Sequence, residues 1–154
     1  MVTGLQTIEQ PILLVENNQD DILLILRAFR RAGVNRRIEA VTSGMEALAY
    51  LQGTASYGDR EKYPLPALVL LDIKMHGMDG FEVLQWIRLH REFSELCVVM
   101  LTASDHIRDA NEAYHLGANS FLVKPLDFEN AGELARSLDR MLARNQQSLT
   151  SIHE

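Results

Sequence analysis

Five short apolar runs set the frame of this chain: PILLV (11–15), RIEAV (37–41), ALVLL (67–71), CVVML (97–101) and SFLVK (120–124). Four are nearly continuous in hydrophobicity, as expected of strands covered on both faces. RIEAV alternates instead, which suits the edge of a sheet. Between the runs, apolar residues recur at helical spacing. Asn18 is placed to cap a helix with Asp21 three residues on; Ile22, Ile25, Leu26 and Phe29 share one face, and Gly33 ends it. Ser43 and Glu46 have capping-box spacing at the head of SGMEALAYL. Phe81, Leu84 and Ile87 form a stripe in FEVLQWIRLH. Ser104 is placed to cap DHIRDANEAYHL, which stops at Gly117. Asp127 can cap a last helix whose inner face is Leu134, Leu138 and Met141. Strand and helix thus alternate five times. That order predicts an α/β fold, a doubly wound five-stranded parallel sheet with five flanking helices and right-handed crossovers.

The 154 residues make one domain the expectation, with 47% hydrophobic residues to build a core. Its expected bounds are 11–143, after an N-terminal extension of residues 1–10 and before a polar tail of residues 144–154. Leu149 and Ile152 offer that tail a second reading, as a prolongation of the last helix into a partner contact. The stretch QGTASYGDREKYPLP between the second and third units reads as a surface loop within the domain. A net charge of −6 and the lack of any basic cluster argue against nucleic acid or an anionic membrane as partner. The single cysteine, Cys97, lies in an apolar run with no partner histidine in sight, so a buried inert thiol is expected. One cysteine permits no intrachain disulfide, which fits a reducing compartment. Neither a signal peptide nor a membrane-length apolar stretch is present, and a cytoplasmic protein is expected.

Chemistry in a doubly wound sheet gathers at the carboxyl ends of its strands. Those ends carry Glu16 and Asn17, Asp72, Thr102 and Lys124. Taken singly, Asp72 reads as a turn cap, Thr102 as a strand end and Lys124 as a solvated charge. Taken together they place two acids, an amide, a hydroxyl and an amine at one edge.

The stretches ILLVENNQDD, LVLLDIKMHGMDG, VVMLTAS and SFLVKP, in that order and spacing, resemble the response regulator receiver domain from about Pro11 to Ala143. The resemblance implies a flavodoxin-like receiver fold and a role for each matching position. Asp72 would accept a phosphoryl group from a sensor histidine kinase. Glu16, Asn17, Asp72 and, through its backbone carbonyl, Lys74 would hold Mg²⁺. Thr102 and Lys124 would contact the phosphoryl oxygens, and Phe121 would be the aromatic that switches with them, although plain core packing accounts for it equally. Such a protein is no enzyme beyond its own phosphorylation and slow dephosphorylation. General chemistry agrees: an aspartate carboxylate can attack phosphorus to give an acyl phosphate, and phosphoryl transfer needs alignment and charge neutralisation above all.

Two positions depart from the family pattern. Asn17 stands where a second carboxylate usually touches the metal, so weaker resting metal binding is expected. His76 stands where proline is common, which frees the loop after Asp72. These departures raise an alternative, a degenerate receiver that binds partners without being phosphorylated. A flavin protein or an aspartyl phosphatase on the same topology is disfavoured. ENNQDD offers no phosphate cradle, no Walker sequence is present, and Lys74 occupies the place of the phosphatases' second aspartate.

With no DNA-binding segment after the last helix, the output is expected to be a surface. The long loop and the ILLVEN start resemble stand-alone regulators that partner bacterial phytochromes and hybrid kinases. That implies such a kinase as partner, and a homodimer through the last strand and helices. Tyr114, Phe128 and Leu149 fit either that interface or the core.

Overall fold

A computed structural model describes residues 10–103, 107–124 and 128–153. The chain alternates β1 (Ile12–Val15), α1 (Gln19–Arg31), β2 (Ile38–Val41), α2 (Gly44–Gln52), β3 (Leu68–Asp72), α3 (Gly80–Leu89), β4 (Cys97–Thr102), α4 (Ile107–His115), β5 (Ser120–Val123) and α5 (Phe128–His153). All strand pairs are parallel, in the order β2-β1-β3-β4-β5. Consecutive strands in a parallel sheet must be joined over a face, and the reversal of order beside β1 puts helices on both faces.

The alternation of side chains along each strand divides the core in two. Leu13, Val15, Val69, Leu71, Val98 and Met100 point to one face and pack beneath α2 and α3, against Leu48, Leu51, Val83, Leu84 and Ile87. Ile12, Leu14, Leu68, Leu70, Val99 and Leu101 point to the other, where Ile22, Ile25 and Phe29 of α1 meet Leu134, Leu138 and Leu142 of α5. Each such side chain contributes about 1.5–3 kcal/mol by leaving water. Cys97 lies buried in this second core, as the sequence implied.

The helix ends follow local chemistry. Asn18 Oδ1 accepts from Asp21 N at 3.1 Å, and Gly33, at φ 74°, takes the left-handed position after α1. The Ser43/Glu46 pair makes only half of the expected box. Ser43 Oγ accepts from Glu46 N, but the Glu46 carboxylate turns to Thr42 N, Thr42 Oγ1 and Tyr57 OH. The complete capping box belongs to Asp79 and Glu82, at the head of α3. The expected caps Ser104 and Asp127 lie outside the described residues.

Two expectations need amending. SFLVK does not form a strand buried on both faces. It is the outer strand β5, with Phe121 and Leu122 half-buried and Val123 exposed, because β4 alone flanks it. In α5 the buried line runs through Leu134, Ala135, Leu138 and Leu142, leaving Met141 at its margin. The loop after α2 lies on the surface but is tied down. Arg60 donates to the carbonyls of Tyr50, Leu51 and Tyr63, and Tyr50 OH donates to Pro64 O. The rings of Tyr50, Tyr57 and Tyr63 pack at 5.0–6.0 Å.

Candidate functional site

Strand register brings the polar ends together. Val15 pairs with Leu71, Asp72 with Leu101 and Thr102 with Val123, so Glu16, Asp72, Thr102 and Lys124 emerge at one edge of the sheet. Glu16, Asp72 and Thr102 are the buried polar residues of the described chain. Ion-bearing side chains are rarely buried without partners, so these two acids mark a site.

Their shared partner is Lys124. Its backbone N–H donates to Thr102 O, which pins the end of β5 to β4. Its Nζ lies 2.8 Å from Glu16 Oε2, 2.8 Å from Asp21 Oδ2 and 3.3 Å from Asp72 Oδ2. Burial works against this ammonium, yet the hydrogen bonds and charges of Asp21, Glu16 and Asp72 outweigh it and raise its pKa. Burial pushes the Glu16 carboxyl up to about 6, opposed by Lys124 and reinforced by the negative charge of Asp72.

Asp72 Oδ1 accepts from Lys74 N at 3.3 Å, and Oδ2 accepts from Lys124. Glu16 Oε1 accepts from Asn18 N at 3.1 Å, and the buried Oε2 depends on the Lys124 ammonium 2.8 Å away. Three carboxylates around one ammonium leave a formal charge of about −2. That excess of negative charge, centred on two buried carboxylates, fits a hard divalent cation. Among the described residues, no three His, Cys, Asp or Glu side chains converge as a ready-made metal cluster.

The remaining expected residues fall at the margins. Asn17 and Lys74 are exposed and share an open cleft of about 550 Å³ with Met75, His76, Asp79 and Phe81. Gly77, at φ 74°, turns the chain after His76. Phe121 is half-buried against the core beneath α2 and α3, opposite Met100. Exposed Ile107 and Tyr114 on α4 and Val123 on β5 add apolar surface on that side. Asp21 was read from the sequence only as part of a helix start, yet it contacts Lys124. Its only signal was the doubled acid in NNQDD.

A buried acid at the end of the third strand, an ammonium carried by the fifth and a second buried acid on the first define the receiver architecture. Residues 12–136 match the response regulator receiver domain, and the chain belongs to that family of two-component signalling proteins. It is 43% identical over 119 residues, 77% of this chain and 74% of the relative, to the probable methanogenesis regulatory protein FilR2 of Methanothrix harundinacea. The phosphorylated cyanobacterial phytochrome response regulator RcpA superposes with a TM-score of 0.78 at 30% identity, covering 88% of this chain and 94% of that one. The Mn²⁺-bound form of the response regulator Rcp1, known from Synechocystis, superposes with a TM-score of 0.73 at 28% identity, covering 84% and 91%. No helix among the described residues is long and apolar enough to cross a membrane.

Proposed function

We propose that the chain accepts a phosphoryl group on Asp72 from a sensor histidine kinase and reports it through the surface around α4, β5 and α5. The observation that carries this reading is the buried Asp72 carboxylate, 3.3 Å from Lys124 and sharing that ammonium with the buried Glu16.

Asp72 Oδ attacks the phosphorus of a phosphohistidine. The P–O bond forms as the P–N bond breaks, and the imidazole leaves with the electron pair and takes up a proton. Lys124 lies within reach of the new phosphoryl oxygens, and its raised pKa keeps it cationic throughout. Thr102, buried at the end of β4, is the hydroxyl that turns towards them. Glu16, Asn17, Asp72 and the backbone carbonyl of Lys74 would hold Mg²⁺, which when bound supplies the neutralising charge that phosphoryl transfer requires. Movement of Thr102 would open room for the half-buried Phe121 and so bias β5 and its flanking helices between two packings. The phytochrome partnership of RcpA supports a kinase of that kind. Exposed Ile107, Tyr114 and Val123 support self-association on that side.

The test is incubation with a small acyl phosphate and Mg²⁺ followed by intact mass measurement. A phosphate-sized adduct is expected in the native protein and absent in Asp72→Asn. No adduct in the native protein would leave a partner-binding receiver that works without phosphorylation.

A further inference from the structure

We infer that Asp21 is a positioning residue of the cation site, supplying the negative charge that Asn17 lacks by sharing the Lys124 ammonium with the two buried acids. The inference rests on the reading of Asp72 as a metal-assisted phosphoacceptor and concerns how that site retains enough charge.

Asp21 lies in the first turn of α1, where Asn18 Oδ1 accepts its backbone N–H and fixes the turn. From there its carboxylate takes a hydrogen bond of 2.8 Å from Lys124, a residue 103 positions away. The same ammonium lies 2.8 Å from Glu16 Oε2 and 3.3 Å from Asp72 Oδ2. Lys124 thus holds Asp21, 31% exposed at its side chain, as closely as it holds the fully buried Glu16, and both more closely than Asp72.

Charge arithmetic explains why this matters. Glu16, Asp72 and Lys124 alone sum to about −1, too little to hold a divalent ion well. A carboxylate at position 17 would bring the sum to about −2. Asn17 does not supply it, being neutral, exposed and lining the neighbouring cleft. Asp21 restores the same total from the far side of the ammonium. Because it shares the ammonium, it also takes up part of the positive charge that Glu16 and Asp72 would otherwise neutralise alone.

Manganese(II) binding to the unphosphorylated full chain, read from the electron paramagnetic resonance signal of the free ion, tests this without any phosphoryl chemistry. Asp21→Asn should weaken binding about tenfold or more, as expected for removing one anion near a divalent ion. Asp21→Glu should retain most of the affinity. Asn17→Asp should restore it in the Asp21→Asn background, and should improve binding more there than in the native chain. Should Asp21→Asn fold poorly by circular dichroism, Asp21→Ser keeps a polar first turn and carries the same expectation. Native affinity in the Asp21 variants, or no rescue by Asn17→Asp, overturns the inference. So does a native chain that binds no manganese. The phosphate adduct on Asp72 is measured separately, so loss of the adduct with an intact Asp21 effect overturns the phosphoacceptor reading alone.

Discussion

A Cβ placed on Gly80 would stand 2.4 Å from the carbonyl oxygen of Asp72, closer than any real side chain comes to a backbone atom. Gly80 N–H also donates to Ile73 O at 2.8 Å, so the head of α3 is pressed directly against the end of the strand that carries the buried acid. The obstruction is backbone and cannot swing aside. Gly80→Ala should cost about 2–3 kcal/mol of stability through overpacking. The check is urea denaturation, and the same variant should accept phosphate poorly because Asp72 is displaced.

Lys124→Gln should move metal binding in the direction opposite to Asp21→Asn. Removing the ammonium from among three carboxylates leaves them more negative, so manganese affinity should rise about tenfold. The rate of adduct formation with a small acyl phosphate should fall, since the ammonium within reach of the phosphoryl oxygens is gone. Titration at pH 8 and timed mass measurement check the two arms.

Glu16 makes metal binding dependent on pH. Its carboxyl titrates at about 6 instead of 4.5, chiefly because of burial. A proton then competes with the cation below about pH 6, and affinity should fall by about tenfold per pH unit there while staying level above it. For folding the sign is set by the same shift. The native chain holds this proton more tightly than the unfolded chain does, so Glu16 favours folding most below pH 4.5 and loses that contribution as pH rises through about 6. Glu16→Gln should remove both dependences, as followed by manganese titration and by denaturation at several pH values.

Phe121→Ala should separate phosphorylation from signalling. The ring packs half-buried on β5 against the apolar core, so the phosphate adduct on Asp72 should form at near-native rate. Stability should drop by about 1–2 kcal/mol, less than for a fully buried phenylalanine. Any partner that binds the phosphorylated native chain more tightly should lose that preference. Calorimetric titration with the cognate kinase, with and without phosphorylation, is the measurement; an unchanged preference would place the switch elsewhere.

The sequence by itself determined the alternation of strand and helix, the sheet edge at β2 and the polar residues at the strand ends. These depend on periodicity and on residues adjacent in the chain: Ile22, Ile25 and Phe29 are spaced for one helix face wherever that helix packs, and Asn18 caps α1 through its own turn. The meeting of Asp72 and Lys124 was legible because a parallel sheet delivers strand ends to one edge regardless of detail. Only the tertiary structure decided that Asp21 joins Glu16 and Asp72 around Lys124. The contact with Asp21 joins residues 103 positions apart and depends on where α1 lies relative to β5, which no local pattern encodes. The same holds for β5, whose apolar letters resemble those of β3 yet which lies half-covered because nothing pairs with its outer side. It holds too for Glu46, spaced for a cap but turned to Tyr57, which the loop folds back within 2.6 Å. Propensity and periodicity act over a few residues, whereas burial and charge pairing are set by neighbours that the chain brings together only once it is folded.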